Sequence, residues 1–190
     1  VFQLIARQSP PPALDYPERL GHWPAVAGML AFVWLELVYG ATGLSIGLRP
    51  EIVAVATLVY SAITFVAMAL FGVERWIEKG EAFSVYFRMF STLSPLEVRD
   101  GRLRLRRPLA GATRWGSVPG SLALVLATIG STSYDGAAEG ALASPITETF
   151  DMLRDIGLGV VAAFRVNGTL WMALVIGGVS LIASIIGTYA

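Results

Sequence analysis

Long apolar runs dominate the pattern of this chain. Ile52 to Val73 is 22 residues without a charge. At about 1.5 Å per residue this crosses the roughly 30 Å of a bilayer's hydrocarbon. Thr169 to Ala190 is a second uncharged run of 22 residues. Pro24 suits the first position of a helix. It opens a third run, Ala25 to Tyr39 with an extension to Ile46, which carries one charge, Glu36, and two candidate breaks, Gly40 and Gly43. Val118 to Tyr134 is a shorter run that ends among Ser131, Thr132 and Ser133. The pattern predicts four spans. Arg49-Pro50-Glu51 leaves so short a connection that the first two should form an antiparallel hairpin.

Between the runs the period changes. Over Trp76 to Leu93, Phe83, Phe87 and Phe90 recur at helical spacing, and Glu81, Ser84, Arg88 and Ser91 form an opposite stripe. This predicts an amphipathic helix in the interface or against the bundle, with the polar stripe as a solvated face. From Leu96 to Leu109 the alternation is strand-like: Arg102, Arg104 and Arg106 interleave with Leu103 and Leu105, and Asp100-Gly101 is a hairpin turn signal. Asp135 to Ala143 reads as a Gly/Ala loop. Ser144-Pro145 predicts an N-cap and first helical residue. A second amphipathic helix follows, which Arg165-Val166-Asn167-Gly168 should break. Asn167-Gly168-Thr169 also matches a glycosylation sequon by chance.

The expected fold class is therefore an all-α integral membrane protein with about four transmembrane helices, two interfacial amphipathic helices and one small cytoplasmic β-hairpin. It divides into a Pro-rich polar segment (1–23), a helical hairpin (24–73), a cytoplasmic amphipathic helix and Arg-rich hairpin (74–117), a third span (118–134), an outer loop and amphipathic helix (135–168) and a fourth span (169–190). Gly177, Gly178 and Ser180 are small residues through which the last span would pack. The chain opens on Val1, which predicts a start inside a longer protein or a processed product.

Composition agrees. Of the 190 residues 55% are hydrophobic and 15% charged, against about 25% charged in an ordinary soluble domain. That excludes a disordered chain and most soluble enzymes. Net charge is zero, so no field draws in a polyanion, and nucleic acid is not an expected partner. The expected partners are the lipid bilayer and other membrane subunits. With no cysteine and the single histidine His22, neither a thiolate site nor a His-rich metal cluster is expected, and no cofactor or metal is implied. Eleven of the 14 basic residues fall in the N-terminal tail and in 74–117. The positive-inside rule makes that side the cytoplasmic face of a bacterial membrane.

Three sets of residues carry candidate chemistry. Glu36 is an ionisable group inside a span: a proton or cation site, a polar anchor between helices, or a headgroup-level residue. Ser131, Thr132, Tyr134 and Asp135 form an outer polar cluster that would bind a cation or polar substrate, or simply end a helix in the aromatic belt. Arg102, Arg104, Arg106 and Arg107 would grip lipid phosphates or a soluble partner, or serve only as a topology determinant.

Several strings occur together: Tyr16-Pro17-Glu18-Arg19-Leu20-Gly21, Trp34-Leu35-Glu36-Leu37-Val38-Tyr39, Met68-Ala69-Leu70-Phe71-Gly72-Val73-Glu74, Leu93-Ser94-Pro95-Leu96-Glu97 and Ile129-Gly130-Ser131. Over residues 15–136 the chain resembles a family of multi-span actinobacterial membrane proteins known under the automatic label "fenitrothion hydrolase". The resemblance implies further spans ahead of Val1 and hydrolysis of an apolar organophosphate-type ester. It carries over no catalytic residues. Such hydrolysis needs a metal-activated hydroxide or a nucleophile with its base. This chain offers only His22 and no G-x-S-x-G elbow. The reading from the residues is thus a non-enzymatic accessory subunit or transporter-like component. Its alternatives are the ester hydrolase and a carrier coupled through Glu36.

Overall fold

The computed structural model describes residues 12–40, 49–99, 101–107, 110–112 and 115–189. The protein is mainly helical. In chain order, a 3-10 turn (Glu18–Leu20) leads into α1 (Trp23–Trp34), which continues as a π-helical turn (Leu35–Tyr39). Then come α2 (Pro50–Phe71), α3 (Val73–Lys79), α4 (Ala82–Ser91), strands β1 (Leu96–Arg99) and β2 (Arg102–Leu105), α5 (Ser121–Ala138), α6 (Ala143–Asp155) and α7 (Val160–Tyr189). Among the described residues, three stretches are long and apolar enough to cross a membrane: Glu18–Tyr39, Pro50–Phe71 and Val160–Thr188. The stretch before Pro12, the extension of the first span to Ile46, and Asp100 lie outside the described residues.

The hairpin forms where its alternation predicts. β1 and β2 pair antiparallel, with Leu96 opposite Leu105, Glu97 opposite Arg104, Val98 opposite Leu103 and Arg99 opposite Arg102. Gly101, at φ 71°, takes the left-handed turn position.

Several expected boundaries move. The predicted third span is a helix that continues to Ala138. Ser131 to Asp135 therefore lie inside it, and among the described residues it is not one of the three stretches apolar enough to span. The expected loop after Asp135 shrinks to a turn at Glu139–Leu142. Ser144 is not an N-cap: α6 starts earlier, and the Ser144 hydroxyl sits 3.0 Å from Glu148 Oε1. The predicted break at Arg165 to Gly168 is absent. The chain breaks instead at Gly157, whose φ of 97° only glycine adopts without strain. Asn and Gly cost a helix at most about 1 kcal/mol each, and tertiary packing overrides that here. The single helix expected over Trp76 to Leu93 is two helices, bent at Gly80 and Glu81.

The molecule divides into two compact units, Val1–Met29 with Leu58–Leu124, and Leu30–Thr57 with Val125–Ala190. The first unit is built on Tyr16, Ala67 and Trp76, flanked by Leu20, Met68 and Phe71. The Tyr16 and Phe71 rings meet edge to face at 5.3 Å, and Phe71 stacks on Trp76. The Tyr16 hydroxyl donates to Gly21 O at 2.7 Å, and burial pushes its pKa up to about 12. Gly21 is required: its φ is 43°, and the carbonyl of Pro119 occupies the place a Cβ would take. The second unit is built on Val38, Tyr134 and Met172, with Trp34, Ile146, Trp171 and Ile176 packed around them.

Candidate functional site

In the second unit, α1 ends in a π-helical turn. The extra residue in such a turn re-aims side chains. Val38 is fully buried, while Glu36 points outward and is exposed. From α5, Ser131 and Tyr134 face inward, and Thr132 and Asp135 are exposed. The two hydroxyls are satisfied by their own helix, Ser131 Oγ and Thr132 Oγ1 both donating to Thr128 O. The outer cluster read from the sequence is therefore split between two faces.

The polar groups that do enter this interior come from α7. Asn167 is only 4% exposed. Its Nδ2 donates to Ile146 O at 2.8 Å, whereas its buried Oδ1 meets no donor. Arg165 lies across the Tyr39 ring, Cζ 4.4 Å from the centroid, and its Nε is buried without an acceptor. Trp34 Nε1 donates to Thr169 Oγ1 at 2.9 Å, and that hydroxyl donates to Arg165 O. One turn along from Asn167, the indole N–H of Trp171 is also buried and unpaired. Gly168 lets these elements approach: a Cβ there would stand 3.1 Å from Val38 Cγ1. Gly130 does the same for α5 against Ile176, while Cβ atoms at Gly177 and Gly178 would meet nothing within 4 Å. The helix packs within the chain through residues other than the two glycines the sequence suggested.

In the first unit the buried charge is Glu81, not a member of a solvated stripe. The chain reverses at Gly72, φ 85°, and α3 and α4 fold back. Glu81 caps α4, accepting from Phe83 N at 3.2 Å and Ser84 N at 2.6 Å, and it accepts the Tyr60 hydroxyl. Tyr60 lies midway along α2, so this carboxylate ties a candidate span to the segment that follows it. α4 buries Ala82 and Val85, while Phe87 and Phe90 stay exposed. His22 is also held on both sides: its backbone N–H donates to Pro119 O, and Nδ1–H donates to Lys79 O at 2.9 Å.

The four hairpin arginines separate into two roles. Arg106 folds back on the end of α4, donating from Nε to Ser94 O and from Nη2 to Ser91 O and Thr92 O. It satisfies carbonyls that a helix end leaves open. Arg102, Arg104 and Arg107 are exposed. The register puts Arg102 and Arg104 on one face of the hairpin, and leaves Leu96, Val98, Leu103 and Leu105 exposed on the other.

Sequence reasoning missed Arg165 and Asn167 as interior residues and Glu81 as a buried one. The signal for Asn167 was present, since it adjoins a long uncharged run, where a polar group is costly and faces an interior by default; Arg165 lies beyond the end of that run. Among the described residues, no group of three or more His, Cys, Asp or Glu is placed to hold a metal ion. Set against known proteins, the chain matches no family model, no curated sequence and no solved structure.

Proposed function

We propose that this protein is a non-enzymatic subunit of a membrane assembly. The observation that carries the reading is the bareness of its two most apolar helices. Only 6% of the apolar stretch of Pro50–Phe71, and 6% of that of Val160–Thr188, is buried in the protein. Lipid covers part of such a surface. A helix whose most apolar stretch lies largely outside its own chain's interior is well suited to pack against another chain. In this reading α5 is the fourth span, its Ser and Thr hydroxyls bonded to backbone carbonyls and so compatible with a bilayer. The N-terminal tail and residues 74–117, with most of the basic residues, face the cytoplasm of a bacterium. The hairpin lies at the anionic inner surface, with Arg102, Arg104 and Arg107 near headgroup phosphates. The resemblance to the "fenitrothion hydrolase" family supports a multi-span architecture of this kind.

Mild-detergent extraction of native membranes after cross-linking tests the reading. The chain should migrate well above its own 20.3 kDa together with a second, identifiable membrane protein. Recovery of a folded, uncomplexed chain from cross-linked membranes overturns it.

A further inference from the structure

We propose that Arg165, laid across the Tyr39 ring, is a binding site for a phosphate oxyanion, presented by a lipid headgroup at the membrane surface. The guanidinium is partly buried, and among the described residues no carboxylate pairs with it. Glu36 sits on the same π-helical turn as Tyr39, yet it is exposed and forms no ion pair with Arg165. The Nε–H is shielded from solvent and has no acceptor. A buried donor on a cation is costly to leave unpaired. A phosphate docked on the outer guanidinium nitrogens supplies the missing counter-charge, and its oxygens match the spacing of those N–H donors. Arg165 is not fully enclosed, and its outer nitrogens give the way in.

The height of the residue identifies the phosphate's source. Val166 to Tyr189 carries no charged side chain. That stretch rises about 36 Å at 1.5 Å per residue, more than the roughly 30 Å of hydrocarbon. Reading α7 as a span thus puts Arg165 just outside the apolar layer, level with the phosphates. Trp34 and Tyr39 stand beside it with ring centroids 6.1 Å apart. Trp and Tyr are the residues that gather at that depth. The choice of Arg also fits, because a guanidinium stacks on an aromatic face while donating in its own plane, and an ammonium does not. The site is independent of whether the chain works alone or in an assembly. It does require α7 to cross the bilayer, which resistance to carbonate extraction checks separately.

The test is lipid selectivity in reconstituted phosphatidylcholine bilayers, read by spin-labelled phosphatidylglycerol against spin-labelled phosphatidylcholine. The wild type should prefer the anionic lipid, and Arg165→Gln should lower that preference about five-fold at the site, the weight of one cation near a charged surface. The hairpin arginines contribute equally to both proteins and cancel. A second arm titrates inorganic phosphate into the detergent-solubilised protein and follows tryptophan fluorescence. Saturation in the wild type but not in Arg165→Gln, with no lipid preference lost, assigns the site to soluble phosphate and overturns the lipid source. Arg165→Lys retains charge, and Tyr39→Leu retains the guanidinium without its platform, so both keep the test open if the glutamine variant does not fold. Each should bind more weakly than wild type. A lysine variant that binds as well as wild type overturns the proposal, as does an Arg165→Gln protein unchanged in both arms.

Discussion

The two units each bury a polar centre against helices that otherwise bury little, and they treat it in opposite ways. In the first, Glu81 takes three donors, two from the backbone of its own helix and one from Tyr60. His22 and Tyr16 are likewise bonded, and among the described residues the buried side-chain groups left over in this unit are the neutral indole N–H donors of Trp76 and Trp115. In the second, the orphans include a guanidinium N–H and an amide oxygen, both strong. A carboxylate whose neighbours complete its bonding holds a fold together. A cation and an amide whose neighbours do not complete theirs are free to meet something else. The first unit's centre is a clamp, and the second's is a site.

Removing the clamp should have the largest effect. Glu81→Ala strands the Tyr60 hydroxyl and two backbone N–H groups. With each stranded, partly buried donor costing about 1 kcal/mol, the low end of the range for a buried one, the loss should be about 3 kcal/mol. Thermal unfolding in detergent measures it. Tyr60→Phe strands nothing on the tyrosine side and should cost about 1 kcal/mol. If Glu81→Ala unfolds within a degree of wild type, the carboxylate is not a clamp and the contrast between the units collapses.

Helix packing in the second unit gives the next effect. A Cβ at Gly130 would stand 2.8 Å from Ile176 Cα, and that neighbour is backbone and cannot swing away. Gly130→Ala should therefore cost about 1–3 kcal/mol through forced separation of α5 and α7. Gly177→Ala, on an open face, should leave unfolding unchanged or raise it slightly, since Ala is the better helix former. Equal destabilisation by the two changes would mean that the last helix packs within its own chain through a face that now looks bare.

Much of this was readable in the sequence, and the limit has a physical cause. Span length and hairpin alternation are local properties, so α2, the core of α7 and the β1–β2 register follow from composition and period alone. Glu81 was misread because its partner Tyr60 is 21 residues away and is reached only by the reversal at Gly72. Periodicity gave a faithful stripe, Glu81 to Ser91, but it cannot say that the first residue of the stripe turns inward as a cap. Arg165 and Asn167 were misread for the opposite reason. Asn167 and Gly168 are poor helix formers, so the string from Arg165 looked like a break, whereas the contacts of Asn167 with Ile146 and of Arg165 with Tyr39 are non-local. Glu36 fared differently again. A π-helical turn carries no mark in the sequence, and it sets which of Glu36 and Val38 faces the interior.

Tyr16 sharpens the contrast from the first unit's side. Its pKa is raised from 10.0 to about 12 by burial, so folding favours the neutral phenol. The contribution is fully present below pH 10, declines as pH rises past the unfolded value, and is gone above the folded one. Stability measured between pH 9 and 12 should fall more steeply in wild type than in Tyr16→Phe, which keeps the ring contacts with Phe71 and Trp76. At neutral pH the variant should lose about 1 kcal/mol, the worth of its hydrogen bond to Gly21 O. Parallel pH profiles for the two proteins would show that the phenol is not buried from water, and an unchanged stability at neutral pH would remove Tyr16 from the set of bonded groups.

The smallest expected effect is the one that bears hardest on the comparison. Asn167→Ala removes one hydrogen bond, to Ile146 O, worth about 1 kcal/mol. It also removes a buried acceptor that no donor satisfies, which returns a similar amount, and alanine is the better helix former. These terms oppose one another, so unfolding should move by less than about 1 kcal/mol, far below the change for Glu81→Ala. The two residues are both at least nine-tenths buried, so burial alone predicts similar costs. The count of satisfied bonds, and the charge of the carboxylate that strengthens them, separate the two. A loss at Asn167 as large as that at Glu81 would show that the amide is held by contacts as complete as those of the carboxylate. The second centre would then be a clamp as well.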